Sequence, residues 1–134
     1  MSLNDIRKAL DEAGGNKEKA LEILRTRGAT IAEKKSSRST QEGIIEAYVH
    51  STKKIAVLVE MLCETDFVAR NPLFSELAHE LALHIAAMDP ADVEALMDQP
   101  FIKDQTVAVR DVVTGYVAKL GENIKVGTCT RLQI

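Results

Sequence analysis

IAVLVEMLCETDFVARNPLFSELAHELALHIAAM, residues 55–88, changes its period once. Residues 55–62 are apolar at nearly every position, which suits a strand that is central in a sheet and covered on both faces. From Pro72 onward the period is 3.6. Phe74, Leu77, Ala78, Leu81, Ile85 and Met88 fall on one helical stripe, Asn71 is placed to cap it and Pro72 suits its first position. Asp89–Pro90 ends that helix. Between the two patterns lies CETDFVARN, residues 63–71, where the charge of Asp66 sits beside the ring of Phe67. Thr65 and Asp66 carry side chains that accept backbone N–H groups and fix a tight exit from the strand. Two readings of Phe67 are open on residue chemistry: the ring tucks back under helix 72–88, or it projects outward as a wedge.

Working outward, IIEAYV (44–49) is a second β-rich run, joined to the first by His50–Lys54 as a hairpin. The last segment alternates, with Ile124, Val126, Thr128, Thr130, Leu132 and Ile134 expected on one face of a third strand. Residues 92–98 suit one or two helical turns. Residues 107–120 repeat the helical period and stop at Gly121. These elements predict an α+β fold: a three-stranded antiparallel sheet covered on one face by helices 72–88 and 107–120. A helical hairpin precedes it. Its first helix covers residues 5–13; its second is capped by Asn16, and Gly28 is its expected stop. Two short helices do not bury both apolar faces alone, so a partner surface is required. The organisation expected is a hairpin over 1–31, a linker or exposed helical extension over 32–42, and a core domain over 43–134.

The chain has 134 residues, 46% of them hydrophobic, and a net charge of −3. That balance argues against binding nucleic acid through phosphate neutralisation. No apolar run has the length of a membrane span, so no membrane contact is expected. Cys63 and Cys129 match neither a CxxC nor a zinc spacing, which suits a reduced compartment. His79 and His84 are five apart and point about 140° away from each other on a helix, so they share no metal and read as surface or boundary residues. No nucleophile elbow, phosphate loop or zinc-protease motif is present. The expectation is a protein that is not an enzyme and has no cofactor or metal.

GIIEAYVHSTKKIAVLVEMLCETDFVARNPLF (43–74) resembles the core of the elongation factor Ts family. So do LAHELALHIAAMDP (77–90), QPFIKD (99–104) and AKLGENI (118–124). DIRKALDEAGGNKEKALEILRTRGATIAEKK (5–35) is similar to the latter part of that family's N-terminal ubiquitin-associated-like domain. The resemblance implies a guanine nucleotide exchange factor for elongation factor Tu, working in the bacterial cytoplasm or an organelle. It implies that Asp66 and Phe67 enter the nucleotide-binding domain of the partner and disturb its magnesium and phosphate site, with Thr65 and Val68 shaping the turn. It extends to His50 as a contact residue and to Arg25 and Arg27 as candidates on the hairpin. The alternative is a module that binds the same partner without exchange activity. The family pattern implies a further helix before Asp5 and a long segment between MDP and QPF, where this chain has only ADVEALMD. With one core half per chain, a homodimer built through sheet faces or the terminal strand is expected.

Overall fold

The computed structural model describes residues 3–134. Strands β1 (Glu42–Val49), β2 (Ile55–Cys63) and β5 (Lys125–Gln133) form one antiparallel sheet in the order β1-β2-β5. The central place of residues 55–62 is as the apolar run predicts. The covering of both faces is not: Val57, Val59, Met61 and Cys63 are buried, whereas Leu58 is 52% exposed. Helix α4 (Pro72–Met88) lies on the inner face and buries Phe74, Leu77, Leu81 and Ile85 against β1 and β2. Its start is the expected one, since the Asn71 side chain accepts the Leu73 N–H and Pro72 opens the helix. Asp89 ends it in the left-handed region at φ 44°.

The terminal strand does not keep the alternation its sequence suggests. Val59 faces Cys129 but Met61 faces Val126, so Gly127 and Thr128 together oppose Glu60. This bulge swaps the two faces of β5. Val126, Cys129 and Arg131 share the inner face, and Thr128, Thr130 and Leu132 lie outside. A Cβ at Gly127 would run into the end of the Glu60 side chain, which would have to swing aside to admit one.

Helix α6 (Val109–Leu120) packs chiefly against α2 (Lys17–Lys35), not over the sheet as expected. It therefore supplies the partner surface that the helical hairpin of α1 (Leu3–Glu12) and α2 requires. Asn16 caps α2 as predicted, accepting the Glu18 and Lys19 N–H groups. Gly28 does not stop it. The glycine is buried and lines, with Gly115 and Ala118 of α6, the cavity between the two helices. A glycine costs a helix interior only about 1 kcal/mol, which packing of this extent outweighs. Helix α2 thus continues to Lys35, leaving residues 36–41 between it and β1. Met1 and Ser2 of the expected 1–31 segment lie outside the described residues.

A short helix α3 (Asp66–Ala69) follows β2, α5 (Val93–Asp98) fills the one or two turns expected, and a small hairpin of β3 (Pro100–Phe101) and β4 (Asp104–Ala108) precedes α6. The hairpin is clasped to α4 by His84, which is fully buried and not the surface or boundary residue its spacing suggested. Its Nδ1 accepts the Ile102 N–H at 3.3 Å, so the proton is on Nε2, which donates to Gln99 Oε1 at 2.9 Å. The ring stacks on Phe101 with centroids 5.9 Å apart. Burial pushes the His84 pKa below its ordinary 6.5, and the Gln99 hydrogen bond partly opposes this.

A depressed imidazole pKa means the unfolded chain takes up the proton first as pH falls. The stability held by neutral His84 is therefore full above pH 6.5 and is lost progressively below it. Urea midpoints measured between pH 7.5 and 5.5 are expected to fall with acidity, and a His84→Gln variant is expected to show a shallower fall.

Candidate functional site

The segment CETDFVARN forms a one-turn helix at the end of the central strand. Thr65 is extended (φ −128°, ψ 154°) and its hydroxyl accepts the Val68 N–H at 3.3 Å, capping α3. The Ala69 N–H donates to the Thr65 carbonyl and the Arg70 N–H to that of Asp66, both at 3.1 Å. Arg70 Nε reaches back to Asp66 Oδ2 at 3.0 Å, a surface pair of small energetic weight. Val68 and Ala69 are buried in the core, while Phe67 is 84% exposed. Successive helical side chains diverge by about 100°, so anchoring Val68 inward turns Phe67 outward. The reading in which the ring tucks under α4 is thus excluded.

The corner is also tied from behind. The Glu64 and Thr65 N–H groups donate to Glu122 Oε1 at 3.1 and 3.0 Å, and the Thr65 hydroxyl donates to Glu122 Oε2 at 2.6 Å. In return the Asn123 N–H donates to Glu64 Oε2 at 2.7 Å. Buried Asn123 also donates through Nδ2 to the carbonyls of Ser36 and Arg38 at 3.3 and 2.8 Å. Reading the sequence missed both residues. The signal was the GEN following the α6 stop, since Gly121 at φ 78° turns the chain back toward the corner.

Cys63 is buried directly before the corner, and its thiol donates to the Thr65 carbonyl. Burial, followed by the Glu122 charge, pushes the Cys63 pKa up to about 11, so the thiol stays protonated and is a poor nucleophile. Among the described residues, no group of three or more His, Cys, Asp or Glu side chains is placed to hold a metal ion. No described helix is long and apolar enough to cross a membrane.

The remaining expected site residues are not brought to the corner. His50 lies at the opposite end of the β1–β2 hairpin, because Glu42 pairs with Cys63 and Val49 with Ala56. At ~3.3 Å per residue, that separates them by roughly 20–25 Å. Its Nδ1 accepts the Thr52 N–H, and its ring meets Tyr48 edge-on. Arg27 bridges α2 to α1 through Glu12 at 2.5 Å and the Asp5 carbonyl at 3.5 Å. Arg25 lines a mostly apolar cavity of about 430 Å³ between the hairpin and α6, with Ile6, Leu21, Leu24 and Ala118.

A second feature is the outer face of the sheet. Ile45, Val49, Leu58 and Leu132 are all exposed on it, clustered by the pairings Ala47–Leu58, Val49–Ala56 and Ala56–Leu132. The same face carries Glu60, paired with Ile45, and Thr130, paired with Leu58.

The model of the family described as Elongation factor TS matches residues 64–134, more than half of the chain. An elongation factor Ts of Thermotoga petrophila is 43% identical over 173 aligned positions, covering 97% of this chain and 87% of the relative. One of Nitratidesulfovibrio vulgaris is 38% identical over 175 positions, covering 97% and 88%. One of Koribacter versatilis is 37% identical over 175 positions, covering 97% and 80%. These alignments are longer than the 134-residue chain, so each relative carries internal residues that this chain lacks.

The opposed burial of two adjacent residues gives a direct check. Phe67→Ala is expected to leave unfolding free energy within about 0.5 kcal/mol of wild type, as for a surface site. Val68→Ala is expected to cost about 2 kcal/mol for the lost buried carbons. Chemical denaturation of the two variants, side by side, measures both.

Proposed function

The chain belongs to the elongation factor Ts family of translation elongation factors, and we propose that it is a guanine nucleotide exchange factor for elongation factor Tu. In this reading Asp66 and Phe67 enter the nucleotide-binding domain of that GTPase and disturb its magnesium ion and phosphate-binding loop. The observation that carries the reading is the exposure of Phe67 on a corner capped by Thr65, with Val68 and Ala69 buried directly after it. An aromatic side chain on a fixed backbone loses little rotamer freedom on docking, which makes it an efficient wedge. Asp66 stands beside it with its carboxylate paired to Arg70 at the surface, a partner it can exchange at little cost.

Such a factor performs no covalent chemistry and is not an enzyme in that sense. It binds the nucleotide-free GTPase more tightly than the GDP-bound form, and linkage weakens GDP by the same factor. Displacing magnesium removes charge compensation from the GDP phosphates, which speeds their departure. The place of action is where translation runs, the bacterial cytoplasm or an organelle. His50, Arg25 and Arg27 belong to this proposal as peripheral contacts, set apart from the corner. A homodimer is part of it too, with the outer sheet face as the contact between two copies. Ile45, Val49, Leu58 and Leu132 support that choice of surface.

Release of labelled GDP from elongation factor Tu tests the exchange. Wild-type protein is expected to accelerate it, and Phe67→Ala to lower the maximal rate by about tenfold or more, the scale of an interface hot spot. Complex formation with an unchanged GDP off-rate would instead favour a binding module. For the dimer, light scattering is expected to give about 29 kDa, twice the 14.7 kDa of one chain, and Leu58→Glu to halve it. A wild-type monomer at tens of micromolar overturns that part.

A further inference from the structure

We propose that Glu122 is a positioning residue for the exchange corner: its carboxylate sets the Thr65 hydroxyl and the two preceding amides so that Phe67 is held outward before any partner arrives. The inference rests on the exchange reading above but concerns a residue whose hydrogen bonds go to Glu64 and Thr65, not to Phe67.

A threonine hydroxyl has one proton and two lone pairs. In this corner the proton goes to Glu122 Oε2 at 2.6 Å, a length typical of a hydrogen bond to a carboxylate. Both lone pairs then face away from Glu122, and one accepts the Val68 N–H that caps α3. The carboxylate therefore fixes the rotor on which the helix cap depends. Its other oxygen takes the Glu64 and Thr65 N–H groups, which lie beyond the last paired residue of β2 and have left the ladder. Three donors on two consecutive residues thus converge on one side chain. The Asn123 N–H to Glu64 carboxylate bond closes the arrangement from the other direction. Asn123 itself is pinned to the Ser36 and Arg38 carbonyls, so Glu122 is presented from a fixed base.

The consequence is for affinity. If the corner is ordered only part of the time, the apparent affinity for the partner falls by the ordered fraction, while the rate at saturation is kept. Loss of Glu122 thus differs from loss of Phe67, which removes the wedge itself.

The test is GDP release from elongation factor Tu, titrated with wild type, Glu122→Ala, Glu122→Gln, Phe67→Ala and the Glu122→Ala/Phe67→Ala double variant. Glu122→Ala is expected to raise the half-saturating concentration about tenfold with little change in maximal rate. Glu122→Gln, which keeps one acceptor oxygen, is expected to fall between. In the Phe67→Ala background the Glu122→Ala effect is expected to shrink below about twofold, because there is no ring left to position. Amide hydrogen exchange at Glu64, Thr65 and Val68 is expected to accelerate in Glu122→Ala. An unchanged half-saturating concentration, or a full effect in the Phe67→Ala background, or unaltered amide exchange, overturns the positioning role. If Phe67→Ala leaves GDP release at the wild-type rate, the exchange reading itself fails, which is a separate outcome. Should Glu122→Ala not fold, Glu122→Gln carries the same criteria: a raised half-saturating concentration supports the role and a wild-type value overturns it.

Discussion

A helix of one turn does not hold itself. Forming the first turn fixes several dihedrals for a single hydrogen bond, so α3 owes its geometry to what surrounds it. Val68 and Ala69 are drawn into the core beneath it, Thr65 caps its start, and Glu122 holds the strand end that leads into it. The exposed ring of Phe67 is the remainder of that arrangement. With Val68 and Ala69 committed inward and the backbone tied, the Phe67 side chain is turned toward solvent. The opening puzzle of a large apolar residue beside a charge at a turn is thereby resolved: Phe67 is excluded from the core by the same contacts that fix its position.

The rest of the fold serves to carry this corner. The inner face of β2 and α4 form the main core, and the corner lies at the junction where one passes into the other. Helix α6 links two parts of the molecule. Its body packs on α2 of the N-terminal hairpin, and its end delivers Glu122 and Asn123 to the corner. Asn123 also grips the residues just after α2. The N-terminal hairpin and the exposed ring are therefore connected through one short turn at Gly121. The apolar outer face of the sheet is separate from both and is free of either helix layer.

Much of this architecture was legible in the residues. The change of period at residues 63–72, the Asn71–Pro72 start and the three strands are strong local signals, each spanning many residues or a well-defined cap. What could not be read is equally physical. A two-residue strand such as Pro100–Phe101 has no period, so the small hairpin left no trace. The bulge at Gly127 depends on the partner strand, and the alternation of residues 124–134 carried no sign of it. Gly28 stops an isolated helix but not one packed against α6. His84 is buried because Gln99, Ile102 and Phe101 gather around it from 15 to 18 residues away. Glu122 is remote from Thr65 by 57 residues, and only folding brings them together. Family resemblance marked Asp66 and Phe67, and the exposure of the ring agrees with a role at a surface, while His50 stands at the far end of the same hairpin.

The central claim is that the Phe67 ring is exposed and ordered in the free protein and becomes enclosed in a complex with nucleotide-free elongation factor Tu. Fluorine NMR of the chain labelled with 4-fluorophenylalanine reads this directly, because only three phenylalanines are present. One signal, absent in Phe67→Ala, is expected to be broadened by a soluble paramagnetic agent in the free protein and to shift and become protected on adding the nucleotide-free partner. A Phe67 signal already shielded in the free protein, or one that stays solvent-exposed in the complex, would contradict it.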